Sequence, residues 1–410
     1  MRKLLNKIKD NRVAKDTAWM LVGYLSKIGL QAVAFILLAK ELGVKEFGLF
    51  STSLAISSLI APFIHLGAYN LVIENIVRKH PVSSAVGNNL LNSIIVVPVG
   101  LLMVMVVSIF LDIPVFISLN IGIAVFLGGL LITINRAVNI SMGTLKYNSY
   151  LEVMLGGLQL LSVVILTITN GNIIIWSVYY CLSNLVTGSI ALIWIAKRYN
   201  GINFSLTEVK GNFKSGFHFA VAGLANNGLV DVDKTMLTKF ASVEATGVFS
   251  LAQKITNMAF VPMFSFLGAI YPKFVNLDEG GYSKSRKLAV KIIPIILAYC
   301  ILIVSLIWIF APLLIRFMGD GFEDAVSAIR ILSFLILIQG LQYPFADALT
   351  GSGKQKIRTY GQVVVLIFNI ILNLILIPML GWMGAAWSSI ISQMIFLIIL
   401  YFSPFIIREK

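Results

Sequence analysis

The sequence predicts an all-α, polytopic membrane protein, from its composition, the lengths of its apolar runs and the placement of its basic residues. Of its 410 residues 58% are apolar and only 12% are charged, whereas soluble domains carry about 25% charged residues. Mean hydropathy is +0.91. So few charges cannot cover a water-exposed surface, which excludes soluble enzymes and disordered proteins. Cys181 and Cys300 both lie in apolar runs, so no disulfide framework is indicated.

Apolar runs long enough to cross a bilayer, about 20 residues each, number about twelve. They lie near residues 17–39, 47–70, 88–111, 114–138, 150–169, 172–196, 215–238, 247–271, 288–309, 324–349, 358–378 and 383–405. Two close pairs of runs are separated by helix-breaking turns, Leu111-Asp112-Ile113-Pro114 and Asn170-Gly171-Asn172. We therefore expect about twelve transmembrane helices.

The basic residues indicate how these helices are oriented. If the chain starts in the cytoplasm, the inner segments hold 24 of the 32 Lys and Arg residues and the outer loops hold four. Cytoplasmic loops of membrane proteins carry such an excess, so we expect both termini inside and an even number of helices. The net charge of +14 is spread between apolar runs instead of gathered on one soluble face. A nucleic-acid partner is therefore not predicted.

The two halves of the chain resemble each other. Residues 38–51 match residues 237–250 at an offset of 199, with Leu, Lys, Val, Gly, Phe and Ser identical. This pattern predicts two parallel six-helix repeats, an N-terminal lobe over 1–200 and a C-terminal lobe over 201–410. Transporters built this way bind substrate between the repeats. Pro62 and Pro262 hold equivalent mid-helix positions, and we expect them to act either as hinges or in packing alone.

Four basic residues lie inside predicted helices and form the candidate substrate-binding set: Lys27, Lys234, Lys254 and Arg330. A charge at a helix centre costs about 2.5–3.5 kcal/mol on insertion scales and usually faces a bundle interior or an aqueous cavity. These cations are therefore candidates for binding an anionic headgroup. The alternative is internal pairing, which the i, i+3 spacing of Asp231 and Lys234 favours.

Further polar residues in the helices are candidates for lining a lumen or coupling an ion, namely Asp231, Asp233, Asp347, Asn226, Asn227 and Gln31. Intramembrane carboxylates often act in proton or ion pathways. The sequence shows no phosphate-binding GxxxxGK[ST] motif and no histidine or cysteine spacing typical of a metal site. We therefore predict no cofactor and no metal, and expect an H⁺ or Na⁺ gradient to supply the energy.

Three segments carry a resemblance to a known family. They are residues 38–51, their second-half counterparts Asp233–Phe240 and Gly247–Lys254, and the stretch from Asn135-Arg136 through Gly143 to Lys146-Tyr147. Together the chain resembles the polysaccharide-export branch of the multidrug/oligosaccharidyl-lipid/polysaccharide (MOP) superfamily, the Wzx-type O-antigen flippases. The likeness covers essentially the whole chain.

The resemblance implies a V-shaped bundle of twelve helices in the bacterial cytoplasmic (inner) membrane. It implies transport of undecaprenyl-pyrophosphate-linked oligosaccharide repeat units from the inner to the outer leaflet, for O-antigen, capsule or a similar surface polysaccharide. Transport would use an ion gradient, with cationic lumen residues meeting the pyrophosphate. A polysaccharide polymerase and a chain-length regulator are the expected protein partners. Lipid II flippases have fourteen helices, and this difference argues against lipid II as cargo.

Two other functions compete with this hypothesis. A drug or cation exporter of the same superfamily would rely more on buried acidic residues than on basic ones. A membrane polysaccharide polymerase or ligase would need a substantial outer loop for its catalytic groups, and the predicted outer loops are all short. We therefore expect a transporter and not an enzyme.

Overall fold

The structure of the chain, a computed structural model, describes residues 12–204, 209–275, 281–318 and 321–406. Regular structure in these ranges is helical, without a strand. The helices are α1 (Arg12–His65), α2 (Ala68–Val77), α3 (Val82–Phe110), α4 (Val115–Ile123), α5 (Gly129–Ser141), α6 (Lys146–Ile168), α7 (Ile173–Arg198), α8 (Val209–Phe240), α9 (Val243–Val275), α10 (Gly281–Met318), α11 (Glu323–Gly351), α12 (Gln355–Leu380) and α13 (Trp382–Ile406). The predicted all-α fold is confirmed.

Nine helical stretches of the described chain are long and apolar enough to cross a membrane. The first, Ser26–Val77, contains two predicted spans, because α1 bends at Gly43. Gly43 has φ 70°, a conformation that glycine adopts without steric strain. The remaining helices, α8 and α9, match the seventh and eighth predicted spans in position. The protein is therefore a multi-pass membrane protein whose helices follow the predicted order.

Two predicted spans have internal breaks. The second span is interrupted at Leu66 and Gly67, which have φ 43° and 66°, and continues as α2. The fourth span contains a π-helical turn, Ala124–Gly128, between α4 and α5. Such a turn frees backbone groups from the regular ladder, and His65 Nε2 is hydrogen-bonded to the carbonyl oxygen of Val125 at 3.2 Å. His65 thus supports the local backbone.

Both predicted helix-breaking turns are present. Asp112 and Asn170 have positive φ angles of 57° and 46°, and Asp and Asn tolerate this conformation better than most residues. The side chain of Asn172 then accepts hydrogen bonds from the backbone N–H groups of Ile174 and Ile175, at 3.1 and 3.2 Å. This is a standard N-cap, and it starts α7.

The chain forms two compact units. The first comprises the described residues up to Glu41 together with Ile56–Leu224, and the second comprises Leu42–Ala55 with the described residues from Ala225 onward. The first unit packs around Val72, Leu90, Leu130 and Ile134 among others. The second has a larger core that includes Phe260, Phe274, Ile296, Ile336 and Phe345. The lobe boundary at residue 200 stays a prediction.

The sequence repeat corresponds to a reciprocal contact within the second unit. A Cβ atom added to Gly48 would overlap the carbonyl oxygen of Val243, and one added to Gly247 would overlap that of Val44. Both pairs are related by the same offset of 199 residues. The identical glycines of the repeat therefore allow two equivalent chain segments to approach each other at backbone distance.

Candidate functional site

A buried carboxylate in the first unit is shared by two basic side chains. Glu152 on α6 is only 6% exposed. Its Oε2 lies 2.5 Å from the Nζ of Lys27 on α1, and its Oε1 pairs with the guanidinium of Arg136 on α5. Two cations on one carboxylate leave a net positive charge at this cluster. We call Lys27, Arg136 and Glu152 the basic cluster.

A second polar contact joins α1 and α6 one helical turn further along α1. The side-chain amide of Gln31 donates to the side-chain oxygen of Gln159 at 2.7 Å. Polar pairs of this kind hold membrane helices together, because an unpaired amide in hydrocarbon is costly. Gln31 is thus paired within the first unit.

The motif segment around Asn135 is tied together by side-chain amides. Asn139 donates to the side-chain oxygens of Asn135 and Asn148, at 2.6 and 2.9 Å. Thr144 in turn donates to Asn139 at 2.6 Å. This network fixes the connection between α5 and α6 and thereby helps to place Arg136 and Glu152, which lie next to it in sequence and in space.

The two aspartates predicted on α8 have different partners. Asp231 accepts a hydrogen bond from the Nζ of Lys234 at 2.7 Å, as the i, i+3 spacing allows. Asp233 is only 1% exposed. Its Oδ1 accepts from the side-chain amide of Asn373 on α12 at 2.5 Å, and its Oδ2 accepts from the hydroxyl of Ser389 on α13.

Asn369 completes the surroundings of Asp233, since its side-chain oxygen lies 3.1 Å from the amide nitrogen of Asn373. The side-chain oxygen of Asn373 is buried and has no hydrogen-bond partner among the described residues. A buried carboxylate with several further oxygen atoms around it has the donor set that hard cations prefer. We call Asp233, Asn369, Asn373 and Ser389 the carboxylate site.

Arg330 lies on α11 against an aromatic residue of α10. Its guanidinium donates to the carbonyl oxygen of Trp308 at 3.0 Å and lies 5.5 Å from the centre of the indole ring. The indole N–H donates to Ser333, whose hydroxyl donates back to the carbonyl oxygen of Arg330. No carboxylate of the described chain forms an ion pair with Arg330.

The remaining predicted residues lie in the helices as expected. Lys254 on α9 and Asn227 on α8 are half-buried, and Asn226 is exposed. Asp347 on α11 lies 3.8 Å from a guanidinium nitrogen of Arg358 on α12. Pro62 lies in α1 four residues before the break at Leu66, and Pro262 lies in α9. A hinge role for the two prolines stays a prediction.

The second unit also contains a polar cavity of about 100 Å³. It is bounded by α8, α11, α12 and α13, and its lining residues are Asn226, Leu229, Val230, Gln339, Gln342, Tyr343, Ala346, Arg358, Gln362, Gln393 and Phe396. Apart from Asn226, sequence analysis did not single out its polar residues. A signal was present: Gln339 and Gln342 lie three residues apart, on one helix face of a largely apolar span.

Comparison with known families agrees with the resemblance seen in the sequence. A family model described as polysaccharide biosynthesis protein matches residues 13–278, more than half of the chain. A second, described as MatE, matches residues 220–375. The uncharacterized membrane protein MJ1068 of Methanocaldococcus jannaschii is 26% identical over 198 residues, which are 47% of this chain and 38% of that protein. The match thus spans well under half of that relative.

Several solved structures with the same fold are membrane transporters. The lipid II flippase MurJ, in an inward closed conformation, has a TM-score of 0.77, with 14% identity over 94% of this chain and 87% of that one. An inward-facing MATE family multidrug resistance transporter has a TM-score of 0.67, with 15% identity over 94% and 92%. A MOP superfamily transporter from Pyrococcus furiosus also gives 0.67, with 15% identity over 97% and 96%. The fold is therefore that of the MOP superfamily.

Proposed function

This chain belongs to the polysaccharide biosynthesis protein family, and on that premise we propose that it is a flippase for lipid-linked oligosaccharides. The cargo is an undecaprenyl-pyrophosphate-linked repeat unit, moved from the inner to the outer leaflet of the bacterial cytoplasmic membrane. The product supplies O-antigen, capsule or a similar surface polysaccharide. A polymerase and a chain-length regulator act on it afterwards.

The observation that carries this proposal is the net positive charge of the basic cluster. Lys27 and Arg136 share the single carboxylate of Glu152, and Lys27 is half-buried. Charges inside membrane helices are expensive and usually functional. Because the cluster holds one more cation than anion, it can compensate one of the two negative charges of a bound pyrophosphate diester.

The other predicted cations contribute unequally to this proposal. Lys234 is neutralised by Asp231 at 2.7 Å, so its charge supports helix packing at least as much as binding. Arg330 has a carbonyl and an aromatic ring as partners, which leaves its charge uncompensated by a carboxylate of the described chain. We propose that Arg330 and Lys254 are further contacts for anionic groups of the cargo.

The carboxylate site supports ion coupling. Asp233 is buried and receives hydrogen bonds from the neutral groups of Asn373 and Ser389. A proton or Na⁺ bound there would neutralise the carboxylate in a low-dielectric interior, where its charge is otherwise costly. We propose that binding and release of this ion drive alternating access between the two leaflets.

The experiment that tests the function uses a strain deleted for this gene. We expect loss of surface polysaccharide and accumulation of complete lipid-linked repeat units on the cytoplasmic leaflet. Normal polymer with altered drug resistance would instead identify an exporter, and single repeat units stranded on the outer leaflet would identify a polymerase or ligase. Either of these results would overturn the proposal.

The basic cluster is tested in the same strain with Lys27→Gln. This variant removes the surplus positive charge while Arg136 still pairs with Glu152, so we expect translocation to fall at unchanged protein level. Lys287→Gln, at an exposed position, is the matched control and should complement fully. Full complementation by Lys27→Gln would exclude Lys27 from cargo binding.

A further inference from the structure

The polar cavity of the second unit has an unusual concentration of side-chain amides. Four of the eight glutamines in the chain line it, namely Gln339, Gln342, Gln362 and Gln393, and Asn226 adds a fifth amide. Amides inside a membrane bundle cost free energy unless their hydrogen bonds are satisfied. Five of them at one cavity, drawn from four helices, therefore indicate a polar ligand or ordered water.

Most of these amides are available for binding. Gln342 donates to the backbone oxygen of Gln393, which fixes one of them. Asn226, Gln339 and Gln362 make no hydrogen bond to any residue that the structure describes, and their polar atoms are not among the fully buried ones. Each free amide offers two N–H donors and an oxygen acceptor, so together they can bind groups that both donate and accept.

The charge and the walls of the cavity restrict the ligand further. Arg358 is the charged residue of the lining, and it is already engaged by Asp347 at 3.8 Å and by the hydroxyl of Thr350 at 3.1 Å. The cavity thus has little uncompensated charge to attract an anion. Tyr343 and Phe396 provide aromatic surface, and Tyr343 stacks on Phe260 at 5.5 Å between ring centres. Aromatic surface beside convergent polar groups is typical of small-molecule sites.

We propose that this cavity binds one neutral sugar residue of the transported oligosaccharide through its hydroxyl groups. The inference rests on the proposed function and names a subsite for it, separate from the basic cluster that binds the anionic group. Amides contact the hydroxyls on the ring edge that enters the cavity, and the aromatic wall contacts the apolar C–H groups of that edge. The volume of about 100 Å³ is smaller than the roughly 150 Å³ cavity that holds benzene. The cavity therefore accepts the edge of one ring and not a longer segment.

The test measures binding of neutral monosaccharides to the purified full-length protein in detergent by saturation-transfer NMR. The probes are methyl glucoside, methyl galactoside and N-acetylglucosamine. We expect saturation transfer to at least one of them, and affinity about tenfold lower in the Gln339→Leu/Gln362→Leu variant, the effect of losing one to two hydrogen bonds. Leucine keeps side-chain size while removing the amide. Gln355→Leu, at an exposed position on α12, is the matched control and should bind like the wild type.

Two results would overturn the inference. One is the absence of saturation transfer to all three probes in the wild type, and the other is unchanged affinity in the double variant. If the double variant does not melt cooperatively, Gln362→Leu alone, at a half-buried position, serves in its place.

The subsite and the proposed function fail in distinguishable ways. The leaflet assay in the deletion strain tests translocation and does not involve the cavity variants. If the wild type translocates lipid-linked repeat units while the variants keep full sugar affinity, only the subsite is wrong. If the wild type binds sugars but the deletion strain has normal leaflet distribution, the flippase assignment is wrong and the binding site stands.

Discussion

Asp231 and Asp233 lie two residues apart on α8 but differ in how their charges are compensated. Asp231 has a lysine partner at 2.7 Å, and Asp233 has an amide and a hydroxyl. A carboxylate whose partners are neutral gains more from binding a cation than one that already has a lysine. This contrast makes Asp231 a natural control for Asp233.

We predict that Asp233→Asn abolishes stabilisation of the protein by its coupling ion. An ion that binds the native state but not the unfolded state raises the melting temperature further as its concentration exceeds its dissociation constant, and asparagine removes the negative charge that holds it. Melting temperatures of purified wild type, Asp233→Asn and Asp231→Asn are to be measured across Na⁺ concentration and across pH. The wild type and Asp231→Asn should respond to one of the two ions, and a response retained in Asp233→Asn would contradict the carboxylate site.

We also predict that Arg330→Ala reduces translocation per folded protein. The guanidinium has no carboxylate partner in the described chain, so its charge is free to meet an anionic cargo. Trp308→Phe is the companion variant, because it removes the indole N–H and weakens the cation–π contact, worth about 0.5–1 kcal/mol at exposed sites, while the carbonyl acceptor remains. It should affect mainly the melting temperature. Normal export by Arg330→Ala at normal protein level would assign Arg330 to packing.

For single residues, the sequence predicts which side chains are important more readily than it predicts which side chains they contact. The intramembrane charges stand out because hydrocarbon makes each of them costly. The partners come from distant parts of the chain, as with Lys27 and Glu152 or Asp233 and Ser389, and helix periodicity does not specify such contacts. Only Asp231 and Lys234, one turn apart, could be paired from spacing. Gln362 and Gln393 were missed because a single amide in a helix has no periodic signal of its own.

Among the structural elements, the segment after Gly43 and the start of α9 are linked by the reciprocal glycine contact. Gly48 lies against the backbone of Val243, and Gly247 against that of Val44. The hydroxyl groups of Thr52 and Thr238 lie 2.6 Å apart in the same region. The repeated residues are therefore explained by close packing, since a side chain at either glycine would push the two segments apart.

We predict that Gly48→Ala and Gly247→Ala each lower the melting temperature, because a Cβ atom at either position meets backbone that cannot move aside cheaply. Gly29→Ala on α1 is the matched control, since nothing lies within 4 Å of its added Cβ. That variant should be neutral or more stable, given the roughly 1 kcal/mol helix preference of alanine over glycine. Equal melting temperatures for all three variants would contradict the reciprocal contact.

The hydrophobic runs predicted the order of the helices, but they did not predict the breaks inside individual spans. Apolar length predicts a span because the bilayer has a fixed thickness. The bend at Gly43 and the π-helical turn at Ala124–Gly128 are local backbone changes inside sequences that remain apolar, so hydropathy passes over them. The turn at Asn170 was predicted because its residues favour that conformation themselves.

For the whole molecule, the excess of Lys and Arg in alternate loops predicts a single topology. Hydropathy supports a membrane crossing least strongly for α8 and α9. These two helices fall outside the nine apolar stretches of the described chain, and they carry Asp231, Asp233, Lys234 and Lys254. If both cross the membrane, the loop between them lies outside. If they formed a hairpin without crossing, that loop would lie inside and all later loops would keep their sides.

Labelling with a membrane-impermeant maleimide separates these arrangements. In a background without Cys181 and Cys300, both of which are buried, single cysteines replace four exposed residues, His80, Ala241, Lys356 and Leu380. We predict that Ala241→Cys and Leu380→Cys react in intact cells, while His80→Cys and Lys356→Cys react only after permeabilisation. Reaction of Ala241→Cys only after permeabilisation, with Leu380→Cys still reactive in intact cells, would show that α8 and α9 do not cross. The charged residues of these helices would then not lie within the membrane, and the coupling role proposed for Asp233 would fail with them.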